Sequence, residues 1–211
     1  MERLAAAAEP KFVEAKRKME QHASSGTDVL FEDETIASRG STKRYEVKLP
    51  YLEAPFNASA VVDDETLIGM IKLFLMNGAI ALDTYSAVVS VADCPEGSWH
   101  ADVEDPFAFH QAVVRSARHP PPPGLVAIVP LVDVNMSNGP TAFRMGSPAL
   151  GSESMWDRGE VASSDFDVSI DAKVGTAVLF DLRTVHRGGA NRGKARYDTI
   201  RYDTIRYDTI R

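Results

Sequence analysis

Two stretches in the N-terminal third of the chain have the apolar spacing and the composition of helices. Residues 10–22 are rich in Ala, Lys, Met and Glu, and Pro10 suits a first helical turn. A second helix is predicted to begin at Asp63-Asp64-Glu65, because carboxylates stabilise a helix N-terminus. Its apolar positions over 67–75 form one broad face that should pack on a core. Residues 31–48 are predicted to be mostly irregular.

Beyond Gly78 the pattern changes to short apolar runs that are separated by turn residues, which predicts strands. Many short strands without intervening helices favour a sandwich or a barrel. The predicted strands cover residues 85–92, 99–103, 125–134, 141–145, 166–171 and 176–182, and two more should begin near Val185 and Arg196.

The length of 211 residues predicts one domain over residues 1–211. We expect helical and irregular support over 1–78 and a core over about 79–205. The tail, 197–211, holds three successive copies of Tyr-Asp-Thr-Ile-Arg. An odd period turns each side chain to the other face in the next copy, so the copies cannot share one strand register. One copy can pair as a strand, and the later copies are assigned no function.

The amino-acid composition limits the kinds of molecule that the protein is expected to bind. Hydrophobic residues make up 44%, charged residues 25%, and the net charge is −7, with Lys and Arg scattered. The composition is that of a globular protein with a sizeable core, and without a basic stripe or a nucleic-acid-binding motif no nucleic-acid partner is expected. The longest apolar stretch, 67–82, is too short and too interrupted to span a membrane. With no secretory signal and no C-terminal peroxisomal signal, a cytoplasmic location is expected. The oligomeric state is left open.

The chemistry of the chain centres on His100 and Asp102, which are separated by one residue on a predicted strand. Both side chains should therefore lie on one face, and a rolled antiparallel sheet can bring the distant His186 beside them. Two imidazoles and one carboxylate on one side of Fe(II) leave positions open for a co-substrate and O2. The three residues are candidate metal ligands and catalytic residues. On residue type alone, other ligands remain possible: His22, His110, His119 and the lone Cys94, which is otherwise expected to be a small buried side chain.

Arg196 follows His186 closely and is a candidate cofactor-binding residue. Its guanidinium can hold the distal carboxylate of a dicarboxylic keto acid in a bidentate way that Lys cannot reproduce. Arg187, Arg192 and Arg201 compete for this role. By strand alternation Arg187 should point away from the face of His186, and Arg192 follows a predicted turn.

Several motifs resemble one known family. These are Ser98-Trp-His-Ala-Asp102, Val129-Pro-Leu-Val-Asp133 with Asn138-Gly-Pro-Thr141, and Gly175-Thr-Ala-Val-Leu-Phe-Asp181 continuing to His186-Arg-Gly-Gly-Ala-Asn-Arg192. Together they resemble the phytanoyl-CoA dioxygenase family, a branch of the Fe(II)- and 2-oxoglutarate-dependent oxygenases, over roughly residues 45–196. The resemblance implies a mostly β fold with flanking helices around a double-stranded β-helix (jelly-roll, cupin-like) core. It also implies His100, Asp102 and His186 as iron ligands and Arg196 as the 2-oxoglutarate anchor.

The same resemblance implies a hydroxylase that uses Fe(II), 2-oxoglutarate as co-substrate and O2 on an unactivated C–H bond of a small molecule. Relatives that halogenate lack the carboxylate, so Asp102 favours hydroxylation. One alternative is a non-catalytic or inactive jelly-roll protein that binds a metal or small molecule, as the repeat tail and short N-terminal region suggest. Another is a cupin dioxygenase that needs no keto acid. Substrate contacts are expected from the loop over 104–123 and from the segment before the core. His110 and Arg115 are candidates only because they lie on that loop, and a solvated surface position is the simpler interpretation of each.

Overall fold

A computed structural model describes residues 1–23, 36–41, 43–76, 80–82, 84–103, 122–150, 167–193, 199–203 and 207–208. In these ranges four helices and eleven strands are present. The helices are α1 (Glu2–Ala23), α2 (Ser59–Val62), α3 (Glu65–Leu75) and α4 (Ser147–Leu150). The strands are β1 (Ile36–Ser41), β2 (Arg44–Lys48), β3 (Ala81–Leu82), β4 (Ser86–Ser90), β5 (Gly124–Pro130), β6 (Thr141–Arg144), β7 (Asp167–Ser169), β8 (Val178–Asp181), β9 (His186–Gly188), β10 (Thr199–Asp203) and β11 (Tyr207–Asp208).

The strands form two antiparallel sheets. The larger sheet has the order β1-β2-β4-β10-β5-β11-β3, and β8 pairs with β5. The smaller sheet has the order β7-β6-β9, and an antiparallel bridge from His100 to His186 extends it. After β4 the chain passes to the smaller sheet at His100, then to β5, to β6 and β7, to β8, to β9 and to β10. This alternation is the winding of a double-stranded β-helix, so the predicted fold class is confirmed.

Strand β5 is buried on both faces, which explains its unbroken apolar sequence. Leu125 and Ala127 belong to the core cluster that α1 and α3 cover. Val126 and Ile128 point the other way, into the space between the two sheets, and pack with Phe143, Phe180 and Leu182. The larger sheet therefore has helices on one face and the smaller sheet on the other.

Both predicted helices are present, with shifted limits. Helix α1 begins at Glu2, and Pro10 lies inside it, so the placement of Pro10 in the first turn was wrong. The physical reason is that Leu4 and Ala8 are buried and extend the apolar stripe toward the N-terminus. In α3, the side chain of Asp64 caps the helix by accepting the backbone N–H of Leu67 at 2.9 Å.

The prediction of irregular chain was wrong for residues 36–48, which form the hairpin of β1 and β2, with β2 paired to β4. Burial of alternate positions stabilises this hairpin: Tyr45 and Val47 face the core, and the Tyr45 hydroxyl donates to the Phe12 carbonyl at 3.3 Å. The predicted strand over 99–103 is reduced to the single bridge at His100.

The repeat copies do not share one pairing, as their odd period predicts. Strand β10 joins the end of the first copy to the start of the second and pairs with β4 and with Val129 and Pro130 of β5. Strand β11, in the third copy, pairs with β3 and with the opposite end of β5. None of the described helices is long and apolar enough to cross a membrane.

Candidate metal centre

His100 and His186 are brought together by backbone pairing. The N–H of His100 donates to the His186 carbonyl at 3.0 Å, and the N–H of His186 donates to the His100 carbonyl at 2.8 Å. On the other side of β9, His186 is opposite Phe143 of β6. The distal histidine therefore lies between the His100 segment and β6, in the smaller sheet.

Asp102 completes the cluster. Its backbone N–H donates to the Leu182 carbonyl at 3.1 Å, which holds it beside the end of β8. Its carboxylate oxygens lie 3.9 Å from Nε2 of His100 and 3.8 Å from Nε2 of His186. One possible ligand atom from each of the three residues lies within 4.8 Å of the others. The alternation argument thus placed His100 and Asp102 on the correct common face.

Both imidazoles are oriented in the same way. Nδ1 of His100 lies 3.0 Å from the Ser98 carbonyl, and Nδ1 of His186 lies 2.9 Å from the Thr184 carbonyl. A carbonyl only accepts, so Nδ1 is the donor in both contacts, and in a neutral imidazole Nε2 is then the atom left to bind a metal. Metal-binding histidines are typically held by such contacts. Two neutral imidazoles and one carboxylate form a donor set that fits Fe(II).

On one side, the cluster is lined by two aromatic rings that lie in the space between the sheets. The ring centroid of Phe180 lies 4.8 Å from that of His186, and Phe143 lies 6.0 Å from it in a stacked arrangement. His186 is buried, whereas the His100 side chain is 40% exposed. The cluster therefore has one buried, apolar side at His186 and one solvent-exposed side at His100. Sequence reasoning missed both phenylalanines, because alternation along a strand does not show which strand lies next to it.

Beyond Phe143 lies a small, partly open apolar pocket between the sheets, with a cavity volume of about 20 Å³. Thr141 is the one hydroxyl-bearing residue among its lining side chains, and Phe143 lines both this pocket and the histidine cluster. The other lining residues are Ile128, Pro130, Val134, Ile170, Ala172 and Val178.

On the opposite face of the smaller sheet, the indole of Trp99 lies between two guanidinium groups. Cζ of Arg187 is 4.6 Å from the ring centroid and Cζ of Arg144 is 4.8 Å from it. Arg187 also pairs with Glu96 at 2.9 Å, and Arg144 pairs with Asp167 at 2.9 Å. Arg187 thus points away from the cluster, as alternation predicted.

Arg44 connects the two sheets near the end of β9, and sequence reasoning missed it. It is buried, its Nε donates to Ser90 Oγ at 2.9 Å, and its Nη2 donates to the Gly189 carbonyl at 2.6 Å. A Cβ on Gly188 would lie 2.8 Å from Cζ of Arg44, so the guanidinium occupies the space that a side chain would need. Arg44 lies in the stretch that was predicted to be irregular, which gave no reason to place it near the site.

The other candidates from the sequence are not brought to the cluster in the described ranges. Arg196, His110, His119 and Arg115 lie outside the described residues. Cys94 is buried, and its Sγ lies 3.4 Å from the Pro95 carbonyl, in agreement with a small core residue. The remaining candidates lie elsewhere by backbone position: His22 in α1, Arg192 after the exit from β9, and Arg201 in β10 opposite Val88 and Pro130.

Residues 95–197 match the family model for phytanoyl-CoA dioxygenase. The match covers just under half of the chain. The matched range contains the whole His100, Asp102 and His186 cluster, as well as Arg196. This match confirms the resemblance that the motifs predicted and, together with the three-residue cluster, supports an Fe(II)/2-oxoglutarate-dependent enzyme.

Solved structures with a similar fold support the jelly-roll assignment. SnoN, an α-ketoglutarate-dependent epimerase of nogalamycin biosynthesis, aligns with a TM-score of 0.57 at 17% identity over 94% of this chain and 72% of its own. AviO1 from Streptomyces viridochromogenes Tue57 aligns with a TM-score of 0.57 at 18% identity over 93% and 85%. The carbocyclase SnoK aligns with a TM-score of 0.52 at 20% identity over 94% and 74%. Among curated proteins, no sequence matches the chain significantly.

Proposed function

We propose that this protein is an Fe(II)- and 2-oxoglutarate-dependent dioxygenase that hydroxylates an unactivated C–H bond of a small-molecule substrate. The observation that carries the proposal is the convergence of Nε2 of His100, Nε2 of His186 and the Asp102 carboxylate within 4.8 Å. Fe(II), with 2-oxoglutarate as co-substrate and O2, would supply the oxidising chemistry, and the protein would supply binding and orientation.

In this proposal His100, Asp102 and His186 hold the metal and are the catalytic residues. The Ser98 and Thr184 carbonyls keep the two imidazoles in the tautomer that binds a cation. Phe143 and Phe180 exclude water from the side of the site that faces the barrel interior. The exposed edge of His100 leaves an approach for the substrate from solvent.

Arg196 is the proposed anchor for the distal carboxylate of 2-oxoglutarate. A guanidinium and a carboxylate form two parallel hydrogen bonds, which fixes the direction of the bound keto acid as well as its affinity. The fold-related SnoN has been solved with Fe3+, α-ketoglutarate and nogalamycin RO, so this jelly roll can hold such a set of ligands. The carboxylate of Asp102 favours hydroxylation over halogenation. A single domain over residues 1–211 and a cytoplasmic location remain part of the proposal.

The test is an anaerobic titration of Fe(II)-loaded protein with 2-oxoglutarate, followed by the weak visible metal-to-ligand charge-transfer band. We expect the band in the wild type, its loss in Arg196→Ala, and its retention in Arg17→Ala, a control on the exposed face of α1. Iron binding without a band in the wild type would favour a keto-acid-independent or inactive barrel. Folded protein that binds no iron would overturn the ligand assignment.

A further inference from the structure

The segment that carries His100 and Asp102 has little regular strand structure. His100 forms an isolated bridge rather than part of a ladder, and the next residue along, Ala101, is in neither sheet. Backbone hydrogen bonds from the N–H groups of Gly97, His100 and Asp102 hold the segment in place. By contrast, β6 and β9 form a continuous ladder beside it. Two of the three proposed ligands, His100 and Asp102, therefore lie on the least regular segment of the site.

Trp99 lies on this segment, immediately before His100, and its side chain is on the opposite face of the smaller sheet. Its indole lies 4.6 Å from Cζ of Arg187 on β9 and 4.8 Å from Cζ of Arg144 on β6. Both distances are within the range of a cation–π contact, for which Trp is the best aromatic partner. The stack joins the His100 segment to its neighbouring strand β9 and, beyond it, to β6.

Each guanidinium of the stack is held by its own carboxylate. Arg144 makes a two-point contact with Asp167, at 2.9 and 3.1 Å, and its side chain is 8% exposed. Arg187 pairs with Glu96, whose side chain is 55% exposed. The two cations and two anions balance, so the stack adds no net positive charge that would oppose a divalent cation on the other face. The stack therefore acts on the metal centre by fixing the position of the backbone at residue 99, rather than through its charge.

We propose that Trp99, held between Arg144 and Arg187, is a positioning residue that fixes His100 and Asp102 in the geometry needed to bind the metal. This inference rests on the metal centre proposed above. Because His100 is directly bonded to Trp99 in the chain, a shift of the indole moves the imidazole and, two residues on, the carboxylate. His186 and Phe143 lie on the same strands as Arg187 and Arg144, so the stack adds a side-chain link between the ligand-bearing segments to the backbone pair of His100 and His186.

The test measures binding of Co2+ to the apoprotein. Co2+ stands next to Fe2+ in the order of increasing affinity for such sites, and its visible spectrum reports the geometry of its ligands. Trp99→Leu, Trp99→Tyr and Arg187→Met are compared with one control, Arg17→Met, on the exposed face of α1. We expect Trp99→Leu to weaken Co2+ binding about tenfold and to change the spectrum, as for other groups that orient metal ligands. Trp99→Tyr should recover part of the affinity, because Tyr also presents a ring face to the cations.

Thermal unfolding of the metal-free variants separates positioning from general support. A residue with only a structural role would lower the unfolding temperature and leave the Co2+ affinity and spectrum of the folded protein unchanged, which would overturn the inference. If Trp99→Leu does not fold, Trp99→Tyr and Arg187→Met decide the question in the same way. Failure of the proposed metal centre is distinguishable, because the wild type itself would then bind no Co2+. Failure of the keto-acid chemistry alone would appear in the charge-transfer titration and would leave the Co2+ comparison unaffected.

Discussion

His100 and His186 form a reciprocal backbone pair, in which each donates its N–H to the carbonyl of the other at 3.0 and 2.8 Å. Their ring centroids are 4.4 Å apart as a result. The approach of the two imidazoles is therefore a consequence of strand pairing and does not depend on a metal. Asp102 reaches the same face because it follows His100 by two positions.

Asp102 supplies the only negative charge of the proposed ligand set, which makes it the most sensitive position. We expect Asp102→Ala to abolish oxygen-dependent turnover, because two neutral imidazoles alone neither balance the cation nor complete the donor set. Succinate formation from 2-oxoglutarate, with substrate present, measures this. Asp171→Ala, which removes an exposed carboxylate elsewhere, should retain wild-type turnover. Wild-type turnover in Asp102→Ala would show that the carboxylate is not a ligand.

Arg44 and Gly188 are predicted to be energetically coupled. Gly188→Ala places a Cβ 2.8 Å from Cζ of the buried Arg44, and should destabilise the protein by about 1–3 kcal/mol, as overpacking does. In an Arg44→Ala background the clash partner is gone, so the same substitution should cost much less. Urea unfolding of the wild type, both single variants and the double variant measures the coupling. Strictly additive costs would contradict the packing described here.

The cluster of His100, Asp102 and His186 could be predicted because the features that indicate it lie in short stretches of sequence. Residues two apart on a strand share a face, and the motifs around His100 and His186 are specific. Arg44 and Phe180 could not be found in this way, since their importance depends on which strands become neighbours across the barrel. The hairpin over 36–48 was missed because its buried positions, such as Tyr45, are few and are separated by polar residues.

The Asp133–Lys173 ion pair should be visible as a pH effect. Lys173 Nζ lies 2.6 Å from Asp133 Oδ2, and the Val174 N–H donates to Oδ1 at 3.0 Å. The hydrogen bond from Lys173, followed by that from Val174, lowers the pKa of Asp133, and Asp133 raises the pKa of Lys173. The stabilisation is thus present above the unfolded-state pKa of Asp133 and is lost as pH falls through its lowered folded-state pKa. For Lys173 it is present below the unfolded-state pKa and is lost as pH rises through the raised one.

Both side chains are exposed, so the effect of this pair on stability should be small and sensitive to salt. In Lys173→Met, the pKa of Asp133 should move up toward its ordinary value, without reaching it, because the Val174 N–H remains. A carbon-detected NMR titration of the Asp133 carboxyl measures the change. An unchanged pKa in Lys173→Met would mean that the lysine contact does not persist in solution.

Arg196 and Arg201 offer the same side chain one repeat step apart, so they provide a matched pair for locating the keto-acid anchor. Strand β10 begins at Thr199, and Arg201 is opposite Pro130 in the ladder with β5. If Arg196 is the anchor, Arg196→Ala should weaken 2-oxoglutarate binding about ten- to a hundredfold, the cost of losing a charged hydrogen-bond partner. Arg201→Ala should leave that affinity near the wild-type value. The charge-transfer titration measures both variants, and Arg196→Lys should recover little, because an ammonium cannot form the two-point contact. The opposite result, with loss in Arg201→Ala alone, would mean that the repeat is threaded one copy further along and that the second arginine faces the site.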